Sequence, residues 1–249
     1  MRRSFPLLVL LVTFLSLLPS FVIASDYASC SESGYKYRFR GYATSSWSGH
    51  RWGIRSVLDY QGLHQCSSPR TGEGSASLAW VGLEGPEGPQ GNNVVQLGIG
   101  VCRSPTTACS TVTRDWWAWG REDCPGLADR IPTVTFLSTL SGGTSYSVSL
   151  HDGAYHLTTG SGMHIDVGTG QVCWSPVDAT ATTESWDFGD ALGGSTVNRM
   201  DFGSLAFQTT ESGAWQSLSP SSCNIQAPEA VFKCVGLGTG HEIQVWTDR

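Results

Sequence analysis

Three polar side chains, Gln96, Glu84 and Glu184, stand where groove chemistry can be built. Gln96 lies in Asn93–Val101 (NVVQLGIGV), which alternates strictly. Val95, Leu97, Ile99 and Val101 share one face, and Val94, Gln96, Gly98 and Gly100 share the other. Leu78–Gly85 (LAWVGLEG) alternates in the same way, with Ala79, Val81 and Leu83 opposed to Leu78, Trp80, Gly82 and Glu84. Side chains on a strand point to alternate faces, so the aliphatic sets read as core-facing. Gln96 is then left on the far face among glycines, near a Trp and a Glu of the neighbouring strand, which suits the floor of a groove. Glu84 and Glu184 are carboxyl groups of the kind that cleave a glycosidic bond by acid and base or nucleophile, provided about 5–10 Å separates them.

The aromatic residues extend this surface. In Arg114–Gly120 (RDWWAWG), Asp115, Trp117 and Trp119 share a face; in Thr182–Phe188 (TTESWDF), Glu184, Trp186 and Phe188 do. One sheet surface is expected to collect Trp80, Glu84, Gln96, Trp117, Trp119, Glu184 and Trp186 as an aromatic cleft with a few polar groups, the composition of a polymer-binding site. Many short strand-like runs must carry it. They include Tyr37–Ala43, Trp52–Tyr60, Thr133–Leu137, Ser145–His151, Met163–Val167, Gln171–Trp174, Ser204–Gln208, Ala230–Val235 and Glu242–Thr247. Turn signals such as Gly85-Pro86, Asp152-Gly153 and Gly193-Gly194 punctuate them. No long helix-period segment interrupts the series. The expected fold is all-β, a sandwich of two large antiparallel sheets in a single domain over residues 25–249.

Composition narrows the classes further. Arg2 and Arg3, the apolar run Leu7–Leu18 and the exit Val22-Ile23-Ala24 read as a secretory signal peptide over residues 1–24. After its removal no stretch is apolar for long enough to span a bilayer, so no membrane partner is expected. Without Arg2 and Arg3 the formal charge falls from −6 to −8, and Lys36 and Lys233 are the only lysines. That excludes a basic nucleic-acid surface. Eight cysteines, Cys30, Cys66, Cys102, Cys109, Cys124, Cys173, Cys223 and Cys234, all follow the leader and imply disulfides in an exported chain. Cys102–Cys109 and Cys223–Cys234 are close enough to staple single loops, which leaves Cys30–Cys66 and Cys124–Cys173. No CxxC pair is present, and the spacing of His151, His156 and His164 matches no known ligand set, so neither a metal nor another cofactor is expected. No GxSxG elbow marks a serine hydrolase.

Trp80-Val81-Gly82-Leu83-Glu84-Gly85, followed after a turn by Val95-Gln96-Leu97-Gly98, resembles the WVGIDG…LLQTG signature of the glutamic peptidases, or eqolisins. The resemblance continues in order. Asp115–Trp119 falls where that family has an aromatic YDAWYEW strand, Thr182–Phe188 where it has AEWIVE, and Asp201–Phe207 (DFGSLAF) where it has ADFGTVTF. It covers roughly residues 50–208. The cysteine-rich ends and Cys124-Pro125-Gly126 are similar to the related neprosin-type peptidases. The resemblance implies a concanavalin-like double sheet and secreted, acid-range endopeptidase activity on polypeptide substrates. It further implies that Glu184 exchanges the proton of the attacking water and that Gln96 donates to the oxyanion. Trp80 would wall the site, and Glu84 stands where the family has an Asp near the dyad. The family's AEWIVE strand carries two glutamates four apart, the second catalytic, and this strand carries Glu184 alone. Either Thr180 replaces the first or Phe188 replaces the second.

Two rival readings come from the same residues. A monomeric, secreted binding module would stack sugars or a protein on the Trp face. A glycosidase would use Glu84 and Glu184. Contact of Gln96 with Glu184 through one water favours the peptidase, a close Glu84–Glu184 pair the glycosidase, and neither the binding module.

Overall fold

The computed structural model describes residues 37–42, 52–59, 63–64, 75–86, 93–103, 114–120, 133–137, 145–185, 191–192, 199–218, 223–226, 232–237 and 243–247. Strands occupy most of these. In chain order they are β1 (Tyr37–Tyr42), β2 (Gly53–Asp59), β3 (Leu63–His64), β4 (Ser75–Glu84), β5 (Val94–Arg103), β6 (Arg114–Trp119), β7 (Thr133–Phe136), β8 (Ser145–His151) and β9 (Ala154–Thr159). They continue with β10 (His164–Gly168), β11 (Asp178–Ser185), β12 (Ala191–Leu192), β13 (Met200–Gln208), β14 (Gln216–Ser217), β15 (Asn224–Gln226), β16 (Phe232–Gly236) and β17 (Ile243–Thr247).

Two antiparallel sheets form. The first runs β15-β1-β11-β4-β5-β6-β7, and the second runs β10-β9-β8-β2-β13-β17-β16 with β14 paired to β13. A two-stranded sheet of β12 and β3 is separate. The sequence expectation of an all-β, two-sheet antiparallel, disulfide-bonded fold therefore holds. Among the described residues no helix is long and apolar enough to cross a membrane.

The core lies between the two sheets, and alternation dictates its membership. Ala79, Val81 and Leu83 of β4, and Val95, Leu97 and Ile99 of β5, are fully buried in it. From the second sheet come Ile54, Leu58, Val148, Leu157, Phe202 and Val245. Each fully buried Leu, Ile, Val or Phe contributes about 1.5–3 kcal/mol by leaving water. A buried polar bond crosses this core: Tyr146 Oη of β8 donates to Asp115 Oδ1 of β6 at 2.7 Å.

Local chemistry sets the turns. Asp152 (φ 51°) and Gly153 (φ 75°) form the tight loop joining β8 to β9, where positive φ favours the Asp-Gly sequence. On β13, Ser204 (φ 53°) sits in a bulge that shifts the pairing with β2 between Gly203 and Ala206.

Several elements differ from the sequence reading. Gln171–Trp174 is a turn and an extended segment, not a strand, and the Trp174 side chain enters the core. β9 was not expected, because AYHLTT is too polar to stand out as an alternating apolar run. β11 starts at Asp178 rather than Thr182. Its inward positions carry Ala179, Ala181 and Thr183, too small or too polar to signal a buried face.

Cys223 and Cys234 are bridged, with Cα atoms 6.1 Å apart, as their spacing suggested. Cys173 is also disulfide-bonded. The remaining proposed pairs involve Cys30, Cys66, Cys109 and Cys124, which lie outside the described residues, as do the leader over 1–24 and Trp186.

Candidate functional site on the outer face of the first sheet

Pairing fixes which side chains share the face turned away from the core. Residues directly opposite each other on antiparallel strands point to the same face. Outward from β4 point Leu78, Trp80, Gly82 and Glu84. They stand opposite Glu184, Thr182, Thr180 and Asp178 of β11, and opposite Gly100, Gly98, Gln96 and Val94 of β5. On β6, Ala118 is opposite Gln96 and Trp116 is opposite Gly98. The row through Gln96 is thus Thr180–Gly82–Gln96–Ala118. The row on one side is Thr182–Trp80–Gly98–Trp116, and the row on the other is Asp178–Glu84–Val94.

This face is closed to solvent at its centre. Trp80, Thr180 and Thr182 are fully buried, Trp116 nearly so, and Gln96 is 5% exposed. The glycines hold aromatic rings rather than a cleared floor. A Cβ at Gly82 would lie 3.1 Å from both Gln96 Cγ and the Trp80 ring, and one at Gly100 would lie 3.1 Å from Trp116 and overlap Leu78. Trp80 Nε1 and Thr182 Oγ1, on paired residues, are buried without a hydrogen-bond partner. Such groups cost about 1–3 kcal/mol each unless something satisfies them.

Beside Gln96 the acidic groups converge. Glu84 is the diagonal neighbour of Gln96 across β4 and β5, a relation that sets Cα atoms about 7–8 Å apart. Asp178 is directly opposite Glu84, where Cβ atoms are about 5 Å apart. Thr180 Oγ1 donates to Glu84 Oε1 at 3.3 Å, and the Ala179 amide donates to Asp178 Oδ1 at 2.9 Å.

The backbone around Glu84 is fixed on both sides. Gly85 N donates to Asn93 O, and Val177 N donates to Glu84 O, each at 2.8 Å. Trp174 lies against Gly85, where a Cβ would come within 2.6 Å of its ring, and its Nε1 donates to Gly120 O at 3.0 Å. Trp174 therefore ties the ends of β4 and β6 together beneath the carboxyl pair.

Glu184 lies elsewhere on the same face. It pairs with Leu78, and Leu78 with Gly100, which is four residues beyond Gln96. With strands about 4.8 Å apart and about 3.3 Å per residue, Glu184 is on the order of 16 Å from Gln96. Its offset from Glu84 along β4 is on the order of 20 Å, beyond the separation a glycosidase pair needs. Trp117 and Trp119 were expected on the Gln96 face. They pair with Leu97 and Val95, so they face the core, and Trp116 takes the outer position. Asp115 shares their inward face and is held there by Tyr146. Sequence reasoning missed Asp178 as a site residue and Thr180 as the neighbour of Glu84. The signal was present in DATATTES, where Asp and Thr alternate with Ala.

No protein-family model matches this chain, and no curated protein sequence matches it. Solved structures similar to it include SCP-B, a member of the eqolisin family of peptidases, in complex with the tripeptide Ala-Ile-His. That pair is 14% identical over 87% of this chain and 100% of the other, with a TM-score of 0.49. The Crh5 transglycosylase in complex with NAG is 11% identical over 60% of this chain and 56% of its own, with a TM-score of 0.33. The kappa-carrageenase from Pseudoalteromonas carrageenovora, bound to a carrageenan oligosaccharide, is 9% identical over 87% of this chain and 77% of its own, with a TM-score of 0.28.

Proposed function

We propose that this chain is a secreted, monomeric endopeptidase that hydrolyses polypeptides in acid, with Gln96 and Glu84 as its catalytic pair. The observation that carries the reading is the diagonal placement of Glu84 and Gln96 on one buried face, with Asp178 opposite Glu84. The WVGLEG…VVQLG resemblance supports the same pair of strands. The leader and the cysteine bridges support export.

In this mechanism Glu84 accepts a proton as the water oxygen attacks the scissile carbonyl carbon. The carbonyl π electrons move to oxygen, and the Gln96 side-chain N–H donates to that oxyanion. The C–N bond then breaks, and the leaving amine takes the proton back from Glu84. An amide donor does not titrate, so it works unchanged in acid. Asp178 is a second carboxyl group beside the first, within reach to exchange its proton.

Peptide cleavage by the mature chain between pH 2 and 7 tests this. Gln96→Ala and Glu84→Gln should each lose about 10²–10³ in kcat, while Glu184→Gln stays near the parent. Loss in Glu184→Gln with activity kept in Glu84→Gln overturns the assignment of Glu84.

A second reading, a non-catalytic module that binds carbohydrate or protein, is favoured by the separation of Glu184 from both Gln96 and Glu84, and by Thr180. That position faces Gln96 across Gly82, and it carries no carboxyl group. Absence of cleavage at any pH by the folded chain, with saturable quenching of Trp fluorescence by oligosaccharides, would establish it.

A further inference from the structure

On the far side of the molecule, the hairpins β8–β9–β10 bring together residues that are distant from the Gln96 face. His156 of β9 is opposite Asp166 of β10, and Thr158 is opposite His164. His156 Nδ1 and His164 Nε2 each lie 2.7 Å from the same oxygen, Asp166 Oδ1. These three ligand atoms lie within 4.8 Å of one another. The sequence spacing alone gave no ligand set; strand pairing creates one.

The other nitrogen of each ring is already held. His156 Nε2 lies 3.1 Å from the His151 carbonyl oxygen, and His164 Nδ1 lies 3.2 Å from Thr158 Oγ1. A carbonyl only accepts, so His156 Nε2 carries the proton of the neutral ring. Its Nδ1 lone pair then points at a carboxylate oxygen, which is also a lone-pair donor. A proton or a metal ion between the two satisfies both, and zinc titration tells them apart. Thr158 Oγ1 can accept from His164 Nδ1 in the same way, which frees the Nε2 lone pair toward the same point. Hydrogen bonds to the outer nitrogens are what orient histidine ligands toward a metal. The His151 ring, stacked on His156 at 3.7 Å between centroids, further fixes that imidazole.

We propose that His156, His164 and Asp166 form a site for a divalent ion of the zinc class. Two imidazoles and one carboxylate are a three-ligand set of that kind, with ligand bonds of about 2.0–2.2 Å and the remaining position left to water. Imidazole donors disfavour Mg²⁺ and Ca²⁺, which take oxygen ligands. His164 and Asp166 are exposed, so the ion reaches the site from solvent. Once bound it clamps β10, the edge strand of the second sheet, onto β9.

The test is zinc titration of the chelator-stripped mature chain by calorimetry, with His164→Ala and Asp166→Asn as variants and Mg²⁺ as the control ion. Both positions are exposed, and thermal melting without metal checks that both variants are folded. The expected result is one zinc per chain, binding weakened at least about 10-fold in each variant, and no heat with Mg²⁺. The imidazole NMR signals of His156 and His164 should shift together with the added zinc, and the melting temperature should rise in the parent alone. Zinc binding retained in both variants, or absent from the folded parent, overturns the site.

Discussion

Gly98 is where the packing of the candidate site can be tested most directly. It pairs with Trp80 on one side and Trp116 on the other, in the row next to Gln96. A Cβ at this position would overlap the Ala79 carbonyl oxygen and stand 2.6 Å from Trp80 Cα and 2.7 Å from Trp80 Cβ. Relieving that requires roughly 1 Å of movement between β4 and β5, because the contacts are to backbone and to a β-carbon rather than to a flexible tip. Both strands are central and buried on both faces, so neither can yield alone. Overpacking typically costs about 1–3 kcal/mol, and here the upper end, about 3 kcal/mol, is expected for Gly98→Ala. For a chain of this size that is a fall of about 6–12 °C in melting temperature. Gly168 in β10 is the matched control: a Cβ there meets nothing within 4 Å. Gly168→Ala should match the parent or gain up to about 1 kcal/mol. Thermal unfolding followed by circular dichroism reads both variants. A Gly98→Ala protein that melts within about 2 °C of the parent would refute the claim that Trp80 and the glycine rows are interlocked.

Tyr146→Phe removes the donor to Asp115 and leaves that buried carboxylate with one hydrogen bond fewer. A loss of about 1–3 kcal/mol in urea unfolding is expected, and an unchanged midpoint would contradict it. Burial pushes the Tyr155 phenol well above its ordinary value of 10.0. The folded state then holds that proton more tightly than the unfolded state, so this contribution is whole below about pH 10 and is lost as pH rises beyond it. The alkaline decline should be shallower in Tyr155→Phe, measured as unfolding midpoint against pH from 8 to 12. Replacing Cys223 and Cys234 together by Ser opens a loop of sequence separation 11. It should cost about 2–3 kcal/mol, read as a melting temperature below that of the oxidised parent.

The strands that carry the site were legible because β4 and β5 place large aliphatic residues at every second position. The pairing between strands was not. Nothing in RDWWAWG says whether Trp116 or Trp117 stands beside Gly98, and a shift by one residue exchanges the faces. The registration with β5 decides it, and it sends Trp117 and Trp119 inward. The start of β11 was obscured for another reason. Ala179 and Ala181 fill a core position with methyl groups only, so the acidic and hydroxyl residues between them read as loop. The histidines were distant from any ligand pattern in the sequence, and converge because two successive hairpins fold them onto one face.

The Cys223–Cys234 bridge has a mechanical consequence. Cys223 adjoins β15, the outermost strand on one side of the first sheet, and Cys234 lies in β16, the outermost strand of the second. The covalent link therefore acts as a pivot along one flank of the sandwich. Rotation of one sheet against the other has its smallest amplitude at a pivot and its largest at the far margin. Parting of the layers is least along the flank of β15 and β16, and reducing this bridge should speed amide exchange there first. Cys173, between β10 and β11, is bonded as well, so a second covalent tie is anchored where the chain passes from the second sheet to the first.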